Sequence, residues 1–185
     1  MKPFDVREEH YAEYVCGNDV HRTHPGVKKV MKLLFKQRLF SWFDSYDIYN
    51  EDGDTVYTVE GQFSIGKCLN VIDRAGNHVA TIKRKLFTFL PCFDIYIQGE
   101  FVGCVKKNFS LFSPSFTVDY RGWSVDGDFL EWDYSITDKD GLKVADISKI
   151  IFKLSDTYCI EVSDMFNALD VLILVLAIDA EKASR

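Results

Sequence analysis

Five stretches of the chain each set an extended run, a polar turn with glycine, and a second extended run in succession. They read YDIYNEDGDTVYTVEG, LNVIDRAGNHVATIKR, FDIYIQGEFVGCVKK, FTVDYRGWSVDGDF and YSITDKDGLKVADISK. Their turn glycines, Gly53, Gly76, Gly99, Gly122 and Gly141, recur at intervals of 23, 23, 23 and 19 residues. Asp-x-x-Gly, or a polar residue beside glycine, supplies the positive φ that tight hairpin turns need. The flanks alternate with period two, as in Tyr46 and Ile48 against Asp47 and Tyr49. That period, in aromatic and β-branched residues, is the signature of a strand. A single hairpin cannot bury its apolar face, so the hairpins must stack or close on one another. With an opening strand near Leu33 to Phe40 and a closing one near Thr157 to Val162, the pattern predicts about twelve strands. Antiparallel sheets of that size curl, split or close, and closure removes the edge strands.

The period changes near the C-terminus. ALDVLILVLAI has apolar residues on every side of a helix, with Asp164 and Asn167 as candidate N-caps and Asp170 in the first turn. A helix apolar all round must be buried all round. A barrel of about twelve strands has an interior wide enough to need a filler. The pattern thus predicts a mostly β fold: a closed antiparallel barrel of repeated hairpins around a buried apolar C-terminal helix. The apolar run from Ala168 to Ile178 is shorter than the roughly 20 residues a spanning helix requires. Residues 1–30 hold His10, His21 and His24, show no clear period and read as a loosely attached extension, with the barrel domain covering 31–185.

The hairpins of the YDIYNEDG and YSITDKDG kind, the opening MKLLFKQRLFSWFDSYDIY and the closing MFNALDVLILVLAID resemble the LURP-one-related family over roughly residues 31 to 182. That family is similar in fold to the Tubby C-terminal domain and to phospholipid scramblases. The resemblance implies a twelve-stranded barrel around a central hydrophobic helix, in agreement with the pattern above. It implies little about activity: members of the bacterial branch generally lack an assigned biochemical role, whereas Tubby domains bind phosphoinositide headgroups.

An aromatic share of 15% strengthens the strand reading, because aromatic side chains suit pleated, half-buried surfaces. The net charge of −6 weighs against nucleic acid as a partner, since neutralising phosphates takes clustered Lys and Arg. Cys16, Cys68, Cys92, Cys104 and Cys159 form no CxxC pair and no usual zinc spacing, so they read as reduced, mostly buried thiols of a cytoplasmic protein. Neither a metal nor another cofactor is expected on this reading. Cys16, His21 and His24 offer three potential ligands, but at irregular spacing.

Catalytic signals are sparse. His78 lies in the turn RAGNHV without a recognisable nucleophile and orienting carboxylate, and no G-x-S-x-G occurs. GQFSIGK lacks the spacing and the Ser/Thr of a P-loop. The turns NEDGD and TDKDG fail as EF-hand loops, because register on Gly53 or Gly141 puts Val59 or Ile147 where a bidentate Glu is required. The chain therefore reads as non-enzymatic. A hydrolase is a distant third reading, and it would need a polar pocket with a pre-organised acid–base pair.

Two binding readings remain. Lys83, Arg84, Lys85, Lys106 and Lys107 end the second strands of successive hairpins and are expected near one barrel rim. A rim of this kind suits an anionic phospholipid headgroup or membrane surface, with Lys83, Lys85, Lys106 and Lys107 as the candidate site. Alternation sends Arg84 to the face opposite Lys83 and Lys85, so not all five converge. The plain alternative is solvated strand ends that also guard against edge pairing. The second reading is a protein-interaction or oligomerisation domain that uses the Phe-rich links FTFLPCF (87–93) and NFSLFSPSF (108–116). Links of this composition more often fold inward as barrel corners.

Overall fold

The structure, a computed structural model, describes residues 30–36, 45–62, 64, 66–109, 115–128, 131–151 and 156–182. Twelve strands follow in chain order: β1 (Met31–Lys36), β2 (Tyr46–Tyr49), β3 (Thr55–Gln62), β4 (Cys68–Asp73), β5 (His78–Arg84) and β6 (Cys92–Ile97), then β7 (Glu100–Asn108), β8 (Ser115–Val118), β9 (Trp123–Asp128), β10 (Asp133–Thr137), β11 (Lys143–Ile151) and β12 (Asp156–Val162). Each pairs antiparallel with its sequence neighbour, and β1 pairs with β12 to close the barrel. The closing seam is long, running from Met31↔Val162 to Lys36↔Thr157. Among the described residues, Leu34↔Tyr49 is the register pair that joins β1 to β2.

The five predicted hairpins are β2–β3, β4–β5, β6–β7, β8–β9 and β10–β11. Their turn glycines all take positive φ, between 65° and 84°. Three of these turns are locked by the same device: the Oδ1 atoms of Asn50, Asp73 and Asp138 accept backbone N–H groups two and four residues onward. An Asp in such a turn bonds its own backbone. The opening strand is described from Met31 to Lys36, and residues 37–40 lie outside the described set, as do residues 1–29 of the expected extension over residues 1–30.

One face of every strand points inward. Leu33, Ile48, Val59, Val71, Ala80, Ile95, Val105, Val118, Ile136, Ala145, Ile160 and Val162 have no exposed surface. They surround the helix α1 (Ala168–Lys182), in which Val171 through Ile178 are fully buried without a break. No side of α1 is polar along this stretch, so only enclosure on all sides removes its apolar surface from water. Asp164 caps a 3₁₀ turn (Met165–Asn167) that leads into α1, and its side chain accepts the N–H of Phe166 at 3.2 Å. The predicted cap therefore acts one turn early. A second aromatic layer packs beneath the wall: Trp132 stacks on Tyr158 with ring centroids 4.0 Å apart, and Phe35 meets both.

Candidate anion-binding mouth at the link end of the barrel

The hairpin turns crowd one end of the barrel, and the links between hairpins form the other. α1 enters at the turn end and stops at the link end, where its last carbonyls and the negative end of its dipole need partners. Three inward side chains from the wall supply them. The Lys67 ammonium donates to the carbonyl of Ala180. Lys107 Nζ lies 3.2 Å from Glu181 Oε1, and Arg84 Nη2 lies 3.9 Å from Glu181 Oε2. Lys182 sits over the Trp132 ring at 4.2 Å from its centroid. These groups are partly withdrawn from water. Burial, with Arg84 nearby, lowers Lys67 to about 8, and burial also lowers Lys182 to about 8. Burial raises Asp179, which neighbours both lysines, to about 6.

Strand alternation explains why these cations face in. Arg84 is registered with Phe93, and Lys107 with Phe116, and both phenylalanines are core residues. Lys83, Lys85 and Lys106 belong to the opposite face. Lys83 is exposed and registered with Cys68 and Asp94. Lys85 lies 3.3 Å from Asp94 Oδ1, and Lys106 lies 2.9 Å from Asp119 Oδ2. Each carboxylate raises the pKa of its lysine. The five cations singled out from the sequence thus share one end of the barrel but divide between two surfaces. Arg84 and Lys107 face the end of the helix, Lys83 and Lys106 stand on the outer wall, and Lys85, just past the end of β5, borders both the outer wall and the mouth.

A cavity of about 350 Å³ opens at this end, bounded by Gly66, Lys67, Arg84, Lys85, Leu86, Phe87 and Thr88. Its floor requires a glycine: Gly66 has φ +103°, and a Cβ there would meet Leu86 Cδ2 at 3.1 Å. The lip separates the two alternatives that the sequence left open for the first Phe-rich link. Phe87 and Phe89 do not turn inward as barrel corners but stand fully in solvent, joined by Leu86 and Phe109. Phe87 also takes φ 58°. A bulky residue at positive φ costs of order 1–3 kcal/mol and persists only where its surroundings enforce it. The second link is described only at its ends, where Phe109 is exposed and Phe116 is buried.

The remaining sequence candidates are unremarkable in geometry. His78 is exposed and shares a 2.9 Å contact with Thr81 Oγ1. In the turns, the side chains of Asp73 and Asp138 accept from the backbone of their own turn. Cys16, His21 and His24 lie outside the described residues. One cluster escaped the sequence reading: the ligand atoms of Cys92, Asp94 and Cys104 lie within 4.8 Å of one another on the outer wall. Burial, together with Cys92 and Asp94, pushes the Cys104 thiol up to about 12. Among the described residues no helix is long and apolar enough to cross a membrane, which says nothing of crossing by strands.

A closed twelve-strand antiparallel barrel threaded by one apolar C-terminal helix defines the class of this protein. The chain belongs to the LURP-one-related family, whose sequence pattern matches residues 31–179. It is similar to the uncharacterised protein YxjI of Bacillus subtilis (strain 168), at 28% identity over 151 residues that cover 81% of this chain and 93% of that protein. In fold it is similar to an X-ray structure of a protein from Arabidopsis thaliana. There the TM-score is 0.59 at 13% identity, covering 86% of this chain and 94% of the other.

Proposed function

We propose that the barrel is a non-catalytic binding domain whose link end docks on an anionic membrane surface and takes a phospholipid headgroup into the mouth. The observation that carries this reading is one juxtaposition: a cavity with Lys67, Arg84 and Lys85 in its wall, beneath a lip of exposed Leu86, Phe87 and Phe89. Rings at the lip suit the boundary between headgroups and acyl chains, while cations beneath suit phosphate oxygens. Lys83, Lys85 and Lys106 form a collar on the outer wall at the same end. Each cation held near an anionic surface contributes on the order of 1 kcal/mol. The overall charge of −6 opposes long-range attraction, so docking depends on this end alone and weakens with salt.

Flotation with vesicles checks the reading. Wild-type protein is expected to float with vesicles of phosphatidylserine and phosphatidylcholine at low salt, and not with phosphatidylcholine alone. Phe87→Ser with Phe89→Ser, and separately Lys85→Glu with Lys106→Glu, are expected to abolish flotation while the thermal transition is kept. Wild-type protein that stays in solution with anionic vesicles overturns the proposal. So does binding of equal strength by the serine double variant, and the exposed phenylalanines would then be free for a protein partner instead.

A further inference from the structure

The β6–β7 hairpin brings together two cysteines that the sequence keeps twelve residues apart. Cys92 and Asp94 sit at alternate positions of β6, so both project to the outer wall. Cys104 on β7 is registered directly with Asp94 and lies diagonally from Cys92, whose own partner is Lys106. Both thiols are buried, and Asp94 is partly so. The three ligand atoms lie within 4.8 Å of one another, and Cys104 Sγ is 3.4 Å from Asp94 Oδ1.

We propose that Cys92, Asp94 and Cys104 form a zinc site on the outer wall of the barrel, with water as the fourth ligand. Zinc bound tetrahedrally, at about 2.3 Å to sulfur and about 2.1 Å to oxygen, sets sulfur and oxygen about 3.6 Å apart and two sulfurs about 3.8 Å apart. The Cys104–Asp94 spacing already matches, and the rest of the cluster has to contract by about 1 Å at most. The diagonal register favours an ion over a disulfide. Diagonal neighbours on paired strands are about 7–8 Å apart, whereas the two residues of a disulfide have Cα atoms within about 6.8 Å. Two thiolates select a soft or borderline metal, and the added carboxylate favours Zn²⁺ over Cu⁺.

The surroundings fit the charge that binding creates. Zn²⁺ displaces one proton from each thiol into solvent, so two thiolates, one carboxylate and the ion leave a net charge of −1. Lys85, at 3.3 Å from Asp94 Oδ1, and Lys106, at 2.9 Å from Asp119, stand beside it. Asp119 Oδ1 also accepts the backbone N–H of Cys104 at 2.7 Å and so fixes that ligand's backbone. Groups of this kind, which orient ligands and balance their charge, are part of a metal site. The site does not depend on the membrane reading, since neither cysteine lines the mouth.

Cobalt substitution tests it. Full-length protein, reduced and stripped by chelator, is titrated with Co²⁺ in the near ultraviolet. One equivalent is expected to raise a thiolate-to-cobalt charge-transfer band that Zn²⁺ then bleaches. Cys104→Ser is expected to abolish the band, and Asp94→Asn to lower zinc affinity at least about tenfold. Cys16→Ser, Cys68→Ser and Cys159→Ser are expected to leave the band unchanged. If Cys104→Ser does not fold, X-ray absorption of zinc-loaded wild-type protein decides, with two sulfur and two lighter neighbours expected. No band at one equivalent, a band lost in Cys16→Ser, a zinc shell without two sulfurs, or a Cys92–Cys104 disulfide in the native protein overturns the site.

Discussion

Arg121, in the β8–β9 turn, bonds through its guanidinium to the carboxylate of Asp170 in the first turn of the buried helix. The contact pins the entry of α1 to the turn end of the barrel, as Lys67, Arg84 and Lys107 pin its exit. Asp170 is 3% exposed, and Tyr120 and Tyr57 are raised in pKa partly by its charge. Removing the guanidinium leaves that charge buried. Breaking a buried pair this way costs roughly 3–5 kcal/mol, and the half-exposed arginine reduces it. Arg121→Ala is expected to lose about 2 kcal/mol in urea denaturation at neutral pH.

Leu172 lies in the middle of the helix with no exposed surface. Its truncation opens a cavity that rigid strands on all sides cannot close. Leu172→Ala is expected to cost about 3 kcal/mol by the same denaturation measurement. A cost under about 0.5 kcal/mol, as at an exposed surface position, would mean that the helix is not enclosed.

Asp179 gives the stability of the barrel a pH dependence of known sign. Burial raises its pKa from 3.8 to about 6, against the pull of Lys182 and Lys67. Between those two values the folded chain binds more protons than the unfolded one. Stability contributed by this group therefore rises as pH falls from about 6 toward 4. Lys67 and Lys182, lowered from 10.5 to about 8, act in another window, where stability rises with pH above about 8. Asp179→Asn is expected to flatten the acid-side slope of the denaturation midpoint and, by removing a carboxylate that holds Lys67 and Lys182 up, to start the alkaline rise at lower pH.

Glu181 and a bound phosphate would compete for the same cations. Its carboxylate meets both Lys107 and Arg84 at the mouth. Glu181→Gln keeps the shape of the side chain and removes the charge. It is expected to tighten binding to anionic vesicles at least threefold in a sedimentation titration, with a small loss in melting temperature. Weaker binding by this variant would show that the mouth does not receive the anion.

Much of this fold is written in local pattern. The five turn glycines, the period-two flanks and the unbroken apolar run from Val171 to Ile178 each carry a physical requirement that one architecture meets. The site was less legible. Alternation separated Arg84 from Lys83 and Lys85, but it takes the register with Phe116 to assign Lys107 to the mouth beside Arg84. Nothing local marks Lys67, because its target, the carbonyl of Ala180, is 113 residues away. For Phe87 and Phe89 the sequence allows both an exposed surface and an inward barrel corner. The positive φ of Phe87 turns the link outward, and no residue type other than glycine signals that in advance. Cys92 and Cys104 match no metal spacing, because hairpin register rather than sequence interval brings them together.

The link-end orientation is tested most directly by a solvatochromic fluorophore at position 87, with a second protein labelled at Asp54 on the turn end. On adding phosphatidylserine vesicles at low salt, the position-87 label is expected to shift to the blue while the Asp54 label stays constant. Equal shifts at both ends, or a shift at Asp54 alone, would contradict docking through the mouth.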